Sequence, residues 1–432
     1  MLEIFYQKII NLLKLLLSCI TIDQTTFVDL KTLQYKKLVL QAVSFNKSLS
    51  AFDVSIKIEK SLPLTNKILT DLVKHGLLRE DGYASSTGGR RPLNYSIAPE
   101  KVYVVSIAID QHITKISIID IADGIIRHQQ RFEFSLVDKN HSLEKLGDLI
   151  VEYLEKGYVE KDKILGIGIG MPGFVDVKKG LNYSYFKEVL LKKENIPTLL
   201  ENKVGVPVYI DNDSSVITLT EQMIGKAQGK SDALVINFGW GIGLGMILNG
   251  QLFRGYNGFA GEFSHIPLFN NNKICSCGKT GCIETEASML TIVQDIREAL
   301  KKGRASVLKG LPDDVEAASE KVIQAAIAGD LLAVEVFTLA SYNIGKGIAI
   351  LIHILNPELI IISGRGADVG ALTLAPIGQA INKYCIPRLA SYTQIAVSSL
   401  SKNSETLGAA ALVIENFDES RITHFEKKSI PI

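Results

Sequence analysis

Four residues, His265, Cys275, Cys277 and Cys282, have the types and the spacing of a zinc-binding site. Three thiolates and one imidazole form the ligand set of a structural zinc, which is tetrahedral and leaves no coordination position for water. A metal bound here would therefore organise the chain around it and would not catalyse a reaction. A disulfide, or scattered reduced cysteines in a core, is the alternative reading of the same residues.

The residues around this cluster indicate how such a site forms and what it organises. Gly278 and Gly281 allow the loop that carries Cys282 to turn tightly. A metal bond to one ring nitrogen of His265 would fix that ring and, with it, Glu262 three residues earlier. The sequence therefore predicts a metal that holds polar groups in place for a ligand.

Two runs that contain these residues resemble the paired signature of the ROK family. The first reads Gly-Phe-Ala-Gly-Glu-Phe-Ser-His at 258–265, and the second reads Cys-x-Cys-Gly-x-x-Gly-Cys-x-Glu at 275–284. The resemblance continues, with its motifs in the family's order, over residues 101–416. Members of this family are sugar-responsive repressors and sugar kinases. The resemblance therefore implies carbohydrate binding by two actin-like (ribonuclease-H-like) α/β lobes around a cleft.

Residue by residue, the resemblance assigns a set of polar groups to the sugar. A sugar site needs fixed carboxylates, amides and imidazoles, because each buried polar group left unpaired is costly. Asp213 also matches the general base of the family's kinases, although an Asp-Asn-Asp triplet at a strand end equally suits a helix cap. The positions expected to bind sugar are Gly173, Asn212, Asp213, Glu262, His265 and Glu284.

Two loops depart from the phosphate-binding pattern of the family's kinases. A kinase cradles the transferred phosphoryl group with backbone amides from glycine-rich turns. The first loop, Asp-x-Gly-Gly-Thr in the family, reads Asp-Gln-His-Ile-Thr at 110–114, and the second, usually Gly-Thr-Gly, has Trp240 at its centre. An indole would crowd the phosphate, so we expect no catalytic residue. A sugar kinase that uses Asp213 is the alternative.

The residues before 100 predict a DNA-binding arm. Helical patterns at 35–45, 49–58 and 65–76 are followed by a strand and a glycine turn, an order that resembles a winged helix-turn-helix. The third helix begins with polar residues suited to a major groove, and two arginines in a glycine-rich linker suit phosphate or minor-groove contacts. A protein-binding module is the alternative. The predicted DNA-binding residues are Thr65, Asn66, Lys67, Thr70, Arg90 and Arg91.

Length and composition agree with several domains and no membrane partner. The chain has 432 residues and a net charge of +1, so its overall charge does not attract nucleic acid. An apolar stretch at 9–22 contains Asn11 and Lys14 and is shorter than a bilayer requires. We expect it to form an amphipathic helix, either at a dimer contact or packed within the protein.

Beyond residue 99, strands alternate with helices, which predicts α/β lobes. Strands are expected at 102–109, 115–121, 125–134, 164–170, 206–210, 233–238, 244–248 and, as the last one, 359–362. The expected domains are a winged helix-turn-helix with an N-terminal helix at 1–85, a linker at 86–99, a first lobe at 100–212 plus 400–420, and a second lobe with the zinc site at 213–399.

Together these features predict a cytoplasmic, zinc-containing repressor of carbohydrate genes that binds a DNA operator and a sugar or sugar phosphate. We expect a homodimer or homotetramer, because a helix-turn-helix gains affinity from two half-sites. The ligand would favour a lobe arrangement in which the DNA-binding arms fit the operator badly. A sensor that acts through a protein partner is a further alternative.

Overall fold

The computed structural model describes residues 24–44, 48–83, 91–110, 113–134, 136, 142–400 and 403–428. The chain divides into two compact units. The smaller unit consists of Met1–Val102, Asp120–Gly124 and Phe417–Ile432, and the larger of Tyr103–Ile119 and Ile125–Asn416. The helix expected at 9–22 and residues 86–90 of the linker expected at 86–99 lie outside the described residues. Residues 93–97 of that linker form a strand.

The smaller unit is a winged helix-turn-helix. Its N-terminal part contains the helices α1 (Gln24–Val43), α2 (Ala51–Lys57) and α3 (Leu62–Lys74) and the strands β1 (Leu49–Ser50), β2 (Leu78–Tyr83) and β3 (Leu93–Ile97). The strands form an antiparallel sheet in the order β1-β3-β2. The three helices and the sheet share a core that includes Val39, Val54, Leu69, Leu72 and Leu78.

Two of these helices begin at residues that the sequence pattern alone does not identify as starts. Ser50 and Asp53 form a capping box, in which each side chain accepts a hydrogen bond from the other residue's backbone N–H, so α2 begins after Ser50. Pro63 lies in the first turn of α3, where its missing N–H costs nothing. The expected start at residue 65 is therefore wrong by three residues.

The first lobe of the larger unit is built on a five-stranded sheet in the order β10-β7-β4-β5-β6. Its strands are β4 (Tyr103–Ile109), β5 (Thr114–Asp120), β6 (Ile126–Phe132), β7 (Ile164–Met171) and β10 (Val208–Asn212), with a small hairpin of β8 (Val175–Asp176) and β9 (Leu181–Asn182). Its helices are α4 (Ser142–Glu155), α5 (Lys187–Lys192) and α6 (Ile196–Val204). β10, β7 and β4 run parallel, so the residues after β7 and β10 lie at one edge of the sheet.

The second lobe contains a five-stranded sheet in the order β13-β12-β11-β14-β15. Its strands are β11 (Ala233–Phe238), β12 (Ile242–Leu248), β13 (Gln251–Leu252), β14 (Leu359–Ser363) and β15 (Gln394–Val397). The later helices of the larger unit are α7 (Asp213–Met223), α8 (Glu284–Ala287), α9 (Met289–Lys301), α10 (Val315–Ile327), α11 (Leu331–Leu355), α12 (Ala371–Tyr384), α13 (Pro387–Ala390) and α14 (Ser404–Asn416). The expectation that 359–362 is the last strand is wrong, because β15 pairs in parallel beside β14.

The glycines of β7 serve the contact between the first sheet and α14. A Cβ atom added to Gly168 would lie 1.8 Å from the carbonyl oxygen of Ala409, and one added to Gly408 would lie 2.3 Å from the carbonyl oxygen of Val216. Side chains at these positions would therefore push α14 off β7 and α7. Glycine at position 168 therefore lets the backbone of α14 lie directly against β7.

Of the described helices, α11 alone is long and apolar enough to cross a membrane by length and composition. However, 56% of its most apolar window is buried inside the protein. It packs against α12, and Phe337, Ile344 and Ile348 belong to the hydrophobic core of the second lobe.

The last described helix, α15 (Ser420–Lys428), packs on α1 in the smaller unit. The Lys36 ammonium lies 2.5 Å from carboxylate oxygens of both Asp71, in α3, and Glu426, in α15. Lys37 adds an ion pair to Glu419 at 3.6 Å. The C-terminal helix is therefore a structural part of the winged-helix unit.

Candidate functional site

A cavity of about 440 Å³ opens in the larger unit, where the ends of β7 and β10 face the turn between β11 and β12. It is lined by all six residues that the sequence assigns to sugar binding: Gly173, Asn212, Asp213, Glu262, His265 and Glu284. The loop after β7 and the junction of β10 with α7 supply the first three of them, and the segment 258–284 supplies the rest. The structure therefore brings together residues that are up to 111 positions apart in the chain.

Asn212 and Asp213 stand at the junction of β10 and α7. The Asn212 side-chain oxygen accepts a hydrogen bond from the Ser214 N–H at 2.9 Å, and its amide donates to the Gly173 carbonyl at 3.1 Å. Asp213 also accepts from the Ser214 N–H, at 2.7 Å. The helix-cap reading of the triplet is confirmed, and the same residues line the cavity.

Asp213 has an unusual protonation equilibrium. Burial, together with the nearby Glu405 carboxylate, raises the pKa of Asp213 from 3.8 to about 7. Its side chain remains partly accessible, since it lines the cavity, while protein surrounds the rest of it. At neutral pH this carboxyl group can therefore accept or donate a hydrogen bond to a ligand hydroxyl group.

Gly173 places backbone at the cavity wall. Its φ of +91° is a conformation that side-chain-bearing residues rarely adopt, and an added Cβ atom would lie 2.6 Å from the Ser184 side chain. Only glycine therefore fits between the cavity and Ser184 without a shift.

The four expected metal ligands cluster, with all their ligand atoms within 4.8 Å of one another. The Cys277 and Cys282 sulfurs are 3.7 Å apart, and the Cys275 sulfur lies 3.4 Å from Nδ1 of His265. A tetrahedral zinc with bonds of about 2.0–2.3 Å places its ligand atoms roughly 3.4–3.8 Å apart. The residues present thus fit zinc, and the sulfur separation is far too long for a disulfide of about 2.05 Å.

The cluster is connected to the carboxylates of the cavity. Nε2 of His265, the ring nitrogen away from the cluster, lies 3.6 Å from Glu262. Ser276, between two of the cysteines, donates a hydrogen bond to Glu284 at 3.1 Å. A metal at the cluster would hold the residues that orient both carboxylates.

Aromatic residues form part of the wall, and sequence reasoning missed them. Phe174 and Phe259 line the cavity with their ring centroids 5.5 Å apart and nearly perpendicular, and Tyr185 lies beside them. Apolar ring faces suit the C–H faces of a sugar. The position of Phe174 directly after Gly173 was the one available signal for this wall.

Side chains fill the end of the cleft where the altered loops meet. The Trp240 indole N–H donates to Asp110 at 2.9 Å, and the Arg365 guanidinium lies 3.4 Å from the same carboxylate oxygen. That guanidinium also lies 3.9 Å from the centroid of the Trp240 ring, at cation–π distance. Asp110, Trp240 and Arg365, named here the Trp240 cluster, therefore bind one another where the two altered loops meet.

The predicted DNA-binding residues belong to the smaller unit. Asn66, Lys67 and Thr70 are exposed on α3, and Arg91 is exposed beside the wing, whereas Arg90 lies outside the described residues. The assignment of Thr65 is wrong. Its side chain is fully buried and donates a hydrogen bond to the Ser61 carbonyl, because α3 starts early enough to turn this position inward.

The winged helix-turn-helix and the two lobes around a polar cavity define a class of proteins that combines DNA binding with ligand binding. The ROK family profile matches residues 106–416, and the chain belongs to the ROK family.

Individual relatives come from both branches of this family, the repressors and the kinases. The xylose repressor of Caldicellulosiruptor bescii is 30% identical over 383 residues, which cover 88% of this chain and 95% of the repressor. The glucokinase of Halalkalibacterium halodurans is 33% identical over 270 residues, covering 62% of this chain and 82% of the kinase. The repressor match covers 88% of the chain, so it must include part of the winged-helix segment. The kinase match covers 62%, so it is short enough to leave that segment out.

A solved structure shares the fold over nearly the whole chain. It is a ROK family transcriptional regulator, a homologue of the E. coli MLC protein, with a TM-score of 0.72 and 23% identity. The likeness covers 92% of this chain and 99% of that one. It therefore includes the winged helix-turn-helix as well as the lobes.

Proposed function

We propose that this protein is a sugar-responsive transcription repressor that acts in the cytoplasm on genes of carbohydrate metabolism. The carrying observation is that one chain combines a winged helix with an exposed polar helix start and a cavity lined by six sugar-suited residues. The xylose repressor that matches 88% of the chain supports this proposal.

In the proposed DNA complex, α3 is the recognition helix. Asn66, Lys67 and Thr70 share its exposed face near the N-terminal end, the end that contacts bases in helix-turn-helix proteins. Arg91 and Arg90 would contact phosphates or the minor groove. Two copies of the chain would be needed for a two-half-site operator, so the active form is a dimer or tetramer.

In the proposed sugar complex, Asn212, Asp213, Glu262, His265 and Glu284 bind hydroxyl groups, and Gly173 allows close backbone approach. Zinc held by His265, Cys275, Cys277 and Cys282 would supply no reaction chemistry, since four protein ligands close its coordination shell. Those four residues would instead fix the segment that carries Glu262 and Glu284. Sugar binding would shift the population of lobe arrangements and thereby lower operator affinity.

One observation favours a sugar kinase as the second candidate. Asp213 lines the cavity with its pKa raised to about 7, as a general base for a sugar hydroxyl group requires. Against it, the Trp240 cluster occupies the phosphate end of the cleft, and Gly241 is covered by the Glu284 carboxylate, 2.7 Å from where a Cβ would be. We therefore propose that the chain does not transfer phosphate.

The linkage between the two functions is tested with DNA and sugar together. Operator fragments selected from a random DNA library are titrated with the full chain by fluorescence anisotropy, with and without xylose, glucose and N-acetylglucosamine. We expect at least one sugar to weaken operator binding about tenfold, within the usual range of allosteric coupling. Unchanged operator affinity with every sugar that binds would contradict the linkage, and steady ATP consumption with any of them would favour the kinase.

Two charge reversals on α3 test the recognition helix. Lys67→Glu should weaken operator binding at least about tenfold, because it replaces a cation near DNA with an anion. Lys74→Glu is the matched control, since Lys74 is exposed at the opposite end of the same helix. Equal effects of the two substitutions would contradict the proposed orientation of α3.

A further inference from the structure

The charge of the cavity bears on the kind of sugar that it accepts. Its described lining contains five carboxylates, Asp110, Asp213, Glu262, Glu284 and Glu405, and no lysine or arginine. Proteins that bind phosphate esters surround the phosphate with arginine, lysine or free backbone N–H groups. The first two of these are absent from the described lining.

Two arginines outside the lining, Arg254 and Arg365, are held by acids of the protein itself. Arg254 donates to the buried Asp211 through Nε at 3.0 Å and Nη2 at 2.7 Å, with Glu415 3.8 Å away. Arg365 binds Asp110 within the Trp240 cluster. Either arginine could contact a phosphate only by leaving a carboxylate without its partner, which is costly for a buried acid.

Three backbone donors at the cavity, the N–H groups of Ser214, Ser215 and Gly239, are also occupied. The first N–H groups of α7 point to the Asn212 and Asp213 side chains, which accept from Ser214 and Ser215. At the turn between β11 and β12, the Gly239 N–H donates to the Gly241 carbonyl. These N–H groups, which lie at a helix start and in a turn where an anion could bind, are thus satisfied by the chain's own groups.

Within the described lining, the one basic side chain is His265. Its Nδ1 faces Cys275 in the proposed metal cluster, and Nε2 faces the Glu262 carboxylate. A metal-bound imidazole is neutral, so it offers a hydrogen bond to a hydroxyl group but no charge for a phosphate.

From this arrangement we infer that the effector is an electrically neutral, unphosphorylated sugar, and that the cavity excludes sugar phosphates by charge. This inference rests on the proposed function and narrows its ligand class. A sugar phosphate carries about −1.5 to −2 charges at neutral pH. It would meet five acidic side chains and no lysine or arginine in the described lining, whereas the hydroxyl groups of a neutral sugar are suitable donors to those same acids.

Calorimetric titration of the full zinc-loaded chain with esters of one sugar tests the inference. The probes are glucose, 6-O-methylglucose, glucose 6-sulfate and glucose 6-phosphate, with parallel pairs of xylose and xylose 5-phosphate and of N-acetylglucosamine and its 6-phosphate. In the pair whose neutral member binds, we expect the phosphate to bind about 100-fold more weakly or not at all. Each negative charge placed close to a carboxylate should lower the binding affinity roughly tenfold or more.

The sulfate and methyl derivatives separate charge from size. Sulfate has nearly the bulk of phosphate but a single negative charge, so exclusion by charge places its affinity between those of the methyl ether and the phosphate. Equal weakening by sulfate and phosphate would mean exclusion by size and would overturn the inference.

The failure of the inference is distinguishable from that of the proposed function. A phosphate ester that binds as tightly as its neutral sugar, or more tightly, overturns the inference while the sugar-responsive repressor stands. If none of the sugars or esters binds, the proposed function itself fails.

Discussion

The two ends of the cleft in the larger unit differ in what occupies them. At one end, polar residues surround a cavity of about 440 Å³ whose wall includes Phe174 and Phe259. At the other, the Trp240 cluster joins side chains that are 255 positions apart in the chain at its extremes, Asp110 and Arg365. Asp110 and Trp240 also line this cavity, but their polar groups bind within the Trp240 cluster.

The contrast between the two ends arises at the two altered loops, one of which has Trp240 between its glycines. A glycine turn exposes amide donors that only a bound anion satisfies. Trp240 and Arg365 instead supply donors for Asp110, so this end of the cleft is satisfied without any ligand. A protein that no longer transfers phosphate would gain stability from such contacts, while the sugar end keeps its polar groups available.

We call the sugar cavity the open end of the cleft and the Trp240 cluster the filled end. The largest effect is expected at the metal cluster, on which the open end depends. Cys282→Ser removes one of four ligands, so we expect loss of bound zinc and of at least about 2 kcal/mol of stability, seen as a fall in Tm of roughly 4–8 °C. Sugar affinity should fall in parallel, because Glu262 and Glu284 lose their support. Metal analysis, thermal unfolding and calorimetry measure the three quantities.

A second buried cysteine provides the control for that substitution. Cys385 is 6% exposed, against 0% for Cys282, and lies at the end of α12, outside the metal cluster. Cys385→Ser should keep zinc and sugar affinity. If Cys282→Ser retained a full equivalent of zinc and its sugar affinity, the proposal that a metal organises the cavity would be wrong.

An intermediate effect is expected at the filled end. Arg365→Ala removes the cation that lies against Trp240 and Asp110 and leaves this carboxylate without its partner arginine. We expect a loss of about 2 kcal/mol of stability in urea unfolding, with a sugar Kd changed by less than about threefold, because Arg365 does not line the cavity.

Arg304→Ala is the matched control for Arg365→Ala. Arg304 pairs with Glu335 at 2.6 Å, but both side chains are about half exposed. Such surface pairs contribute less than about 1 kcal/mol. Equal losses from the two substitutions, or new ATP turnover in Arg365→Ala, would contradict a stabilising role for the Trp240 cluster.

The sequence predicted the open end far better than the filled end, and the reason is locality. The metal ligands and Glu262 and Glu284 lie within 23 consecutive residues, 262–284, so their spacing alone indicates a shared site. The β10–α7 junction is likewise local, because a buried strand and a capped helix meet at Asn212. The Trp240 cluster draws on three separate segments, and the sequence indicated only that an indole would obstruct the loop.

In the DNA-binding arm, the sequence predicts the recognition helix but not which face of that helix is buried. A helix was expected from residue 65, yet Pro63 lies within the first turn, and α3 begins at Leu62. The side chain of Thr65 is buried, while Asn66, Lys67 and Thr70 remain exposed. Which face of a short helix is buried depends on its packing partners, here α1 and α2, which the local pattern does not specify.

The smallest effect concerns the protonation of Asp213 at the open end. Its folded pKa of about 7 lies above the ordinary value of 3.8, so between these values the folded state holds a proton that the unfolded state has lost. Stability then falls as pH rises from 4 to 7 and stays level above. Asp213→Asn keeps the acceptor for Ser214 but cannot ionise, so the variant should gain stability over the wild type as the pH rises. We expect roughly 1–2 kcal/mol at pH 8 and little at pH 4.

Thermal unfolding of both proteins at pH 4, 6 and 8 checks this gain, with the exposed Asp313→Asn as a control whose difference from wild type should not change with pH. A constant difference between Asp213→Asn and wild type would mean that Asp213 is already ionised in the folded protein at low pH. The carboxylate would then be as available to solvent as any surface acid, and the contrast between a poised open end and a self-satisfied filled end would lose one of its supports.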